Sequence, residues 1–437
     1  MSEKVASGHF EQSSVSAAAL AAYNQGRAAA RRQDYPQAIT YFTEALAFEG
    51  TPDLFRARTL EYRGQCYWLL GKFNEAEADY EAALAASDDM NQIARARARL
   101  GELADFCGRY EQAEKLYQQA LAEGVQAGNL LVIGRAQRGL GVLNRRRGNT
   151  EQAVSHLTQA LAAFRQVGEA REQARVLTSL GRTRHARGEY QYALSAHQEA
   201  LMILESLEDR WRIIQCLNDI GECHQALYDI ETALSYHERA LQMAEESNAN
   251  LLKPEIYRNL GVDLVEQSEY DKGIMYLQKA LEGARQFGNR EQEALTLYHL
   301  TRAFIRHGWE GDAVQTVSRL SEVAEALDAD RFRALAAFAR GELLFAQGER
   351  VAAIAELNAA MLAAQTAVDR GVLWKLHATM GNAIDDEAIA AVHRNIAAEF
   401  VRQTAEPIQD ERLKRCFVYA PPVLAVLQAA GIDPDKL

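Results

Sequence analysis

Residues 141–160 read GVLNRRRGNTEQAVSHLTQA. Two glycines, Gly141 and Gly148, are followed by a small residue, Ala153, then by Leu157 and Ala160. That order returns along the chain. The leading glycine recurs at Gly26, Gly64, Gly101, Gly181, Gly221 and Gly261, Thr301 takes the next turn, and Gly341 and Gly381 follow. The spacings are 38, 37 and then 40 each time. The small position is filled by Ala38, Ala76, Ala113, Ala193, Ala233, Gly273, Ala313 and Ala353. The bulky position between the small columns is Phe42, Tyr80, Tyr117, His197, His237, Leu277, Val317 and Leu357.

A fixed period of this length means one supersecondary unit stacked on copies of itself. The residue types say which unit. Two antiparallel helices approach closely only where one of them lacks a side chain, and a bulky residue of the other then fills the space. A second glycine (Gly71, Gly108, Gly148, Gly188, Gly308, Gly348) ends the first helix with a turn that glycine makes at least cost.

These columns resemble the tetratricopeptide repeat family over residues 17 to about 370. Linkers such as RQFGNREQEA and RQVGEAREQA make the 40-residue units similar to those of kinesin light chain and Pins-type adaptors, and to arrays in bacterial regulators. The resemblance implies an all-α, right-handed superhelical solenoid of antiparallel helix hairpins, with about nine repeats. Its concave groove would be lined by the first helix of each repeat and would bind a peptide or protein. Residues 1–16 are expected to be a flexible leader. Residues 371–437 are expected to hold a degenerate tenth repeat, starting at Trp374–Asn382, and a helical cap. Asp410 is the expected N-cap, and Pro421 or Pro422 the expected start, of closing helices.

Composition narrows the function. The 437 residues carry a formal net charge of -12, which argues against a general nucleic-acid coat or a membrane-surface protein. No apolar run reaches the roughly 18 residues of a membrane span, and the start, MSEKVASGHFEQSS, lacks the apolar core of a signal peptide. Five scattered cysteines fit a reduced, cytoplasmic setting. No Walker loop, HExxH or GxSxG is present, so no enzyme, catalytic residue, metal or cofactor is expected. His197 and His237 share the bulky column and are read as packing residues, and Cys216 and Cys223 as core.

The arginines stand out. Between Leu131 and Gly188 lie eleven Arg and three Glu, a net of +8 against -20 in the rest of the chain. In the fourth repeat Arg135, Arg138, Arg145 and Arg146 recur at helical spacing, on a stripe distinct from Ile133, Ala136, Leu140 and Leu143. The same stripe carries Tyr62, Trp68 and Glu61 in the second repeat, and Arg95, Arg99, Glu102, Asp105 and Phe106 in the third. It continues through Arg175, Arg182 and His185, then Asn218, then Arg258 and Asn259, then Tyr298. The segment holds too few acids to pair all its arginines; Glu102 and Asp105 are expected to neutralise some and acids of the sixth repeat others, and arginine suits bidentate capture of carboxylates. The expected partner is therefore a protein or peptide with an acidic segment, bound by a non-catalytic scaffold. Nucleic acid or a phosphorylated ligand in the same groove is the less favoured alternative. A third is a sensor closed by its own acidic segment, GIDPDKL or AIDDEA. A homo-oligomer is left open.

Overall fold

The computed structural model describes residues 15–32, 34–364 and 370–437. The expected leader therefore lies outside the described residues except for Val15 and Ser16. Val15 is buried, and the Ser16 hydroxyl caps the first helix by accepting from the Ala19 N–H at 3.2 Å. Among the described residues every regular element is helical.

The chain divides into two compact units. The first holds residues up to Arg145 together with Glu151–Val176. It contains α1 (Ala17–Arg31), α2 (Tyr35–Ala47), α3 (Asp53–Leu69), α4 (Phe73–Ala85), α5 (Met90–Phe106), α6 (Tyr110–Gln126) and most of α7 (Leu130–Arg146) and α8 (Thr150–Val167). The division falls within α9 (Ala170–Ala186). The second unit continues through α10 (Tyr190–Ser206), α11 (Arg210–Ala226), α12 (Ile230–Glu246), α13 (Lys253–Glu266), α14 (Tyr270–Gln286), α15 (Arg290–His307) and α16 (Glu310–Leu327). It ends with α17 (Asp330–Ala346), α18 (Arg350–Ala364), α19 (Arg370–Ala383), α20 (Glu387–Ala405), α21 (Glu411–Val418) and α22 (Pro421–Ala429).

The repeat columns meet as their chemistry requires. A Cβ added to Gly26 would lie 2.7 Å from the Phe42 ring, and one on Gly101 2.9 Å from Tyr117. One on Gly141 would lie 2.7 Å from Leu157, and one on Gly341 2.8 Å from Leu357. His197 over Gly181 and His237 over Gly221 fill the same space and are buried. Thr301 stands in the glycine's place in the repeat whose bulky position is the smaller Val317; both are buried, and the Thr301 hydroxyl donates to the Leu297 carbonyl at 2.9 Å.

The turn after the first helix uses left-handed backbone at Gly71, Gly108, Gly148, Gly188, Gly308 and Gly348. Two repeats put side chains there, Tyr228 at φ 58 and Ser268 at φ 64, at a cost of about 1–2 kcal/mol each.

The end of the second unit returns to its own beginning. The Arg412 guanidinium in α21 donates two hydrogen bonds to Asp229, at 2.9 and 2.7 Å, in the turn between α11 and α12. The His224 Nδ1 lies 2.9 Å from the same carboxylate. Gln191 at the start of α10 accepts from the Asp410 N–H at 3.3 Å. Asp410 caps α21 by accepting from Leu413 N–H, and Pro421 opens α22. The acidic segments are held locally. Asp386 caps α20, Asp385 pairs with Arg350, Asp433 caps the terminal turn, and Asp435 accepts from the Tyr419 hydroxyl.

Candidate ligand-binding face

In the first unit, the arginine stripe is a ladder of alternating charges across four first helices. It starts at Glu61 on α3, which is 2% exposed. Glu61 accepts from Arg95 Nε at 3.0 Å and Nη2 at 3.2 Å, and from Gln92 at 3.2 Å, all on α5. One helical turn on, Arg99 stands 3.7 Å from Glu61 and donates to Glu102 at 3.0 Å. Arg138 on α7 donates to the other Glu102 oxygen at 2.7 Å. Glu172 on α9 accepts from Arg175 at 3.1 Å.

Arg135 fits this ladder differently. Its Nε is 3.8 Å from Glu172, beyond hydrogen-bond distance, and is a buried nitrogen with no hydrogen-bond partner. Its side chain is only 12% exposed. The electrostatics follow the geometry. Burial would lower the pKa of Arg99, but Glu102 outweighs it and holds the pKa up. Arg138 shows the same balance, with Glu102 and Glu172 against burial. Arg135 is pushed down, first by burial and then by the like charge of Arg99, more than Glu172 can offset. Burial would raise the Glu61 carboxyl, yet Arg95 and Arg99 bring it down to about 2.

Glu102 neutralises arginines of the stripe as expected, and Glu61 adds to it. Glu61 and Glu102 reach it from neighbouring helices, so the pairing is much fuller than the local sequence indicates. Among the described residues the carboxylates of Glu61, Glu102 and Glu172 pair with the guanidinium groups of Arg95, Arg99, Arg135, Arg138 and Arg175. Glu172, which the stripe starting at Arg175 omitted, was legible as its i−3 neighbour.

The other expected site residues are placed as follows. Arg145 is half-buried and Arg146 exposed at the end of α7. Tyr62 stacks on Phe42 with ring centroids 6.0 Å apart and carries Arg27 over its face. Trp68 packs with the exposed Phe106. In the second unit, the Arg182 Nε–H is shared between the two Asp219 carboxylate oxygens, at 2.9 and 3.1 Å, and His185 meets the Tyr190 ring edge-on. Arg258 donates to Glu222 at 2.8 Å and to Gln292 at 2.6 Å, and shares Asn259. Asn259 in turn donates to Asn218 at 2.9 Å. These three are buried, so their polar groups satisfy one another. Tyr298 is buried rather than offered to a ligand. No group of three or more His, Cys, Asp or Glu among the described residues is arranged to hold a metal. No helix among them is long and apolar enough to cross a membrane.

Comparison with known proteins agrees with this architecture. A Rap protein complexed with competence and sporulation factor superposes with a TM-score of 0.60 at 14% identity, covering 86% of this chain and 98% of that one. Aspartyl phosphate phosphatase F from Bacillus subtilis gives 0.51 at 16% identity, covering 82% and 96%. The apo form of RapI gives 0.50 at 14% identity, covering 62% and 98%. At these identities the likeness is one of fold. Among curated proteins none matches the chain by sequence. The tetratricopeptide repeat profile matches five overlapping windows, residues 17–89, 55–123, 92–166, 132–206 and 172–246. These windows span more than half of a chain whose glycine and small-residue columns pack as that repeat requires, so the chain belongs to the tetratricopeptide repeat family.

Proposed function

We propose that the chain is a non-catalytic interaction scaffold that captures a carboxylate-bearing segment of a protein or peptide on the first-helix face of its first unit. The observation that carries this reading is Arg135. It is a guanidinium taken largely out of water, without a hydrogen bond from Nε, beside an arginine that repels it. Leaving such a group unsatisfied costs free energy. A glutamate or aspartate side chain would supply the missing charge and accept from Arg135, while the Nε atoms of Arg99 and Arg138 also make no hydrogen bond. The repeat family's use in protein recognition supports the reading, as does the factor bound by the Rap protein of similar fold.

The test uses fluorescence anisotropy with a labelled hexaglutamate peptide and its hexaglutamine counterpart. Wild type binds the acidic peptide alone. A charge-assisted hydrogen bond contributes about 1.5–3 kcal/mol, so Arg135→Gln weakens binding at least tenfold. The same substitution removes an uncompensated charge, so the protein's resistance to urea stays level or rises by on the order of 1 kcal/mol. Equal affinity of Arg135→Gln and wild type would refute the site. Arg138→Glu is the poorer probe, because it sets a second carboxylate against Glu102 and confuses binding with folding.

A further inference from the structure

The second unit contains a cavity of about 370 Å³ between the inner helices α13, α15, α17 and α19 and the closing helices α20 and α22. That volume lies at the small end of the range of about 300–1,000 Å³ typical of small-molecule sites. Its charges are nearly, but not fully, spent on one another. Arg302 donates to Glu342 at 2.8 Å, and Arg306 to Glu266 at 2.7 Å. Arg394, which sits over Gly381 where other repeats place a ring or leucine, pairs with Glu387. Lys375 is left over. Among the described residues its ammonium makes no hydrogen bond and no ion pair. It lies over two aromatic rings, Trp374 at 5.4 Å and Tyr228 at 5.9 Å, while the Glu266 and Glu342 carboxylates that act on it from α13 and α17 are paired with Arg306 and Arg302.

Tyr228 supplies a second, independent observation. It occupies the left-handed turn position that glycine fills in the repeats at Gly108, Gly148, Gly188, Gly308 and Gly348. A side chain there is strained, and such strain gathers where a side chain is needed for something other than folding. Here it places a ring in the cavity wall. α22 contributes Ala425 and Val426 to the lining, so the cavity combines apolar surface with one cation, Lys375, that no hydrogen bond or ion pair engages among the described residues.

We propose that this cavity binds a small organic monocarboxylic acid, with its carboxylate on Lys375 and its apolar part between the Tyr228 and Trp374 rings and α22. A single spare charge matches a carboxylate better than a doubly charged phosphate. The same aromatic and aliphatic surface favours an acid with a hydrocarbon body over a bare anion. The site is separate from the arginine face of the first unit and does not depend on it.

Isothermal titration of the full chain with 4-phenylbutyrate, and with 4-phenylbutyramide as its neutral counterpart, tests the proposal. Wild type binds the acid saturably and the amide at least tenfold more weakly. Lys375→Met loses tenfold or more in affinity. Tyr228→Gly restores the residue that this turn uses elsewhere, so it keeps the helical circular dichroism and still weakens binding. Burial first, then Arg302 and Arg306, bring Lys375 down to about 8 against the opposing pull of Glu266 and Glu342. Affinity is therefore level below pH 8 and declines as the free ammonium deprotonates toward pH 9 and above. Arg135→Gln leaves this binding unchanged. No saturable heat at millimolar acid, equal binding of the amide, or equal binding by Lys375→Met overturns the proposal. Should Lys375→Met fail to fold, an affinity that does not fall above pH 8, or one that Tyr228→Gly leaves intact, overturns it instead.

Discussion

Glu102→Ala is expected to cost about 3–5 kcal/mol, the effect of removing one member of a buried ion pair and leaving its partner charged. Here two partners are stranded. Glu102 accepts from Arg99 at 3.0 Å and from Arg138 at 2.7 Å, and both side chains are about nine-tenths buried. With Glu102 gone, Arg95, Arg99, Arg135 and Arg138 converge with only Glu61 and Glu172 to balance them. Because repeat arrays can unfold piecewise, the loss is best read by hydrogen exchange in α5 and α7 beside a urea titration followed by circular dichroism. Protection in those helices falls while that of α13 to α18 stays. A loss spread evenly over the chain, or none, would contradict the ladder.

The acid dependence of the wild type follows from the same groups. Burial acts to raise Glu102 and Glu61, but their arginines outweigh it, so both carboxyls titrate below the ordinary value of 4.5. A carboxyl whose folded pKa is depressed contributes stability that is complete above its unfolded pKa and lost as pH falls through the folded value. Stability is thus expected to hold from neutral pH to about 5, and to decline from the ordinary value of 4.5 toward about 2, where Glu61 protonates. In Glu102→Ala this decline is shallower, because one of the groups that drives it is gone. Urea midpoints measured across that range give the comparison.

What the sequence made legible depended on how local the cause was. The helix hairpin is encoded in side-chain size, and size at a helix contact acts directly. A glycine at Gly26, Gly101 or Gly341 needs a large partner sixteen residues on, and Phe42, Tyr117 and Leu357 stand there. Asp410 and Pro421 were readable because capping is a local affair. Charge pairing was less readable because it runs between repeats. Glu61 pairs with Arg95, 34 residues away, Glu102 with Arg138, 36 away, and Arg182 with Asp219, 37 away. That offset is one repeat less up to one helical turn, the displacement of neighbouring first helices. An acid count within one segment misses it. Tyr228 was hidden for another reason. Nothing in a tyrosine announces left-handed backbone, and only the gap in the glycine series between Gly188 and Gly308, filled by Tyr228 and Ser268, hints at it.

Tyr117→Ala is the second large effect expected, again about 3–5 kcal/mol, as for other buried aromatic truncations. Tyr117 on α6 is 1% exposed and bridges two repeats. Its ring covers Gly101 on α5, where a Cβ would come within 2.9 Å, and it also presses on Gly139 on α7, where a Cβ would fall inside the ring's own envelope. Truncation therefore opens a void between the third and fourth repeats, next to the charged ladder. The ring contact also predicts the reverse substitution. Gly139→Ala should gain roughly 1 kcal/mol from helix propensity, yet overpacking of about 1–3 kcal/mol opposes it, leaving a net loss. If the ring is the cause, the two sites must be coupled. Tyr117→Leu copies the fourth repeat, where Leu157 covers Gly141, and it leaves room beside Gly139. In that background Gly139→Ala should become neutral or stabilising. Urea unfolding of the two single variants and the double variant measures the coupling directly. Strict additivity would mean that Gly139 is glycine for some reason other than the tyrosine ring.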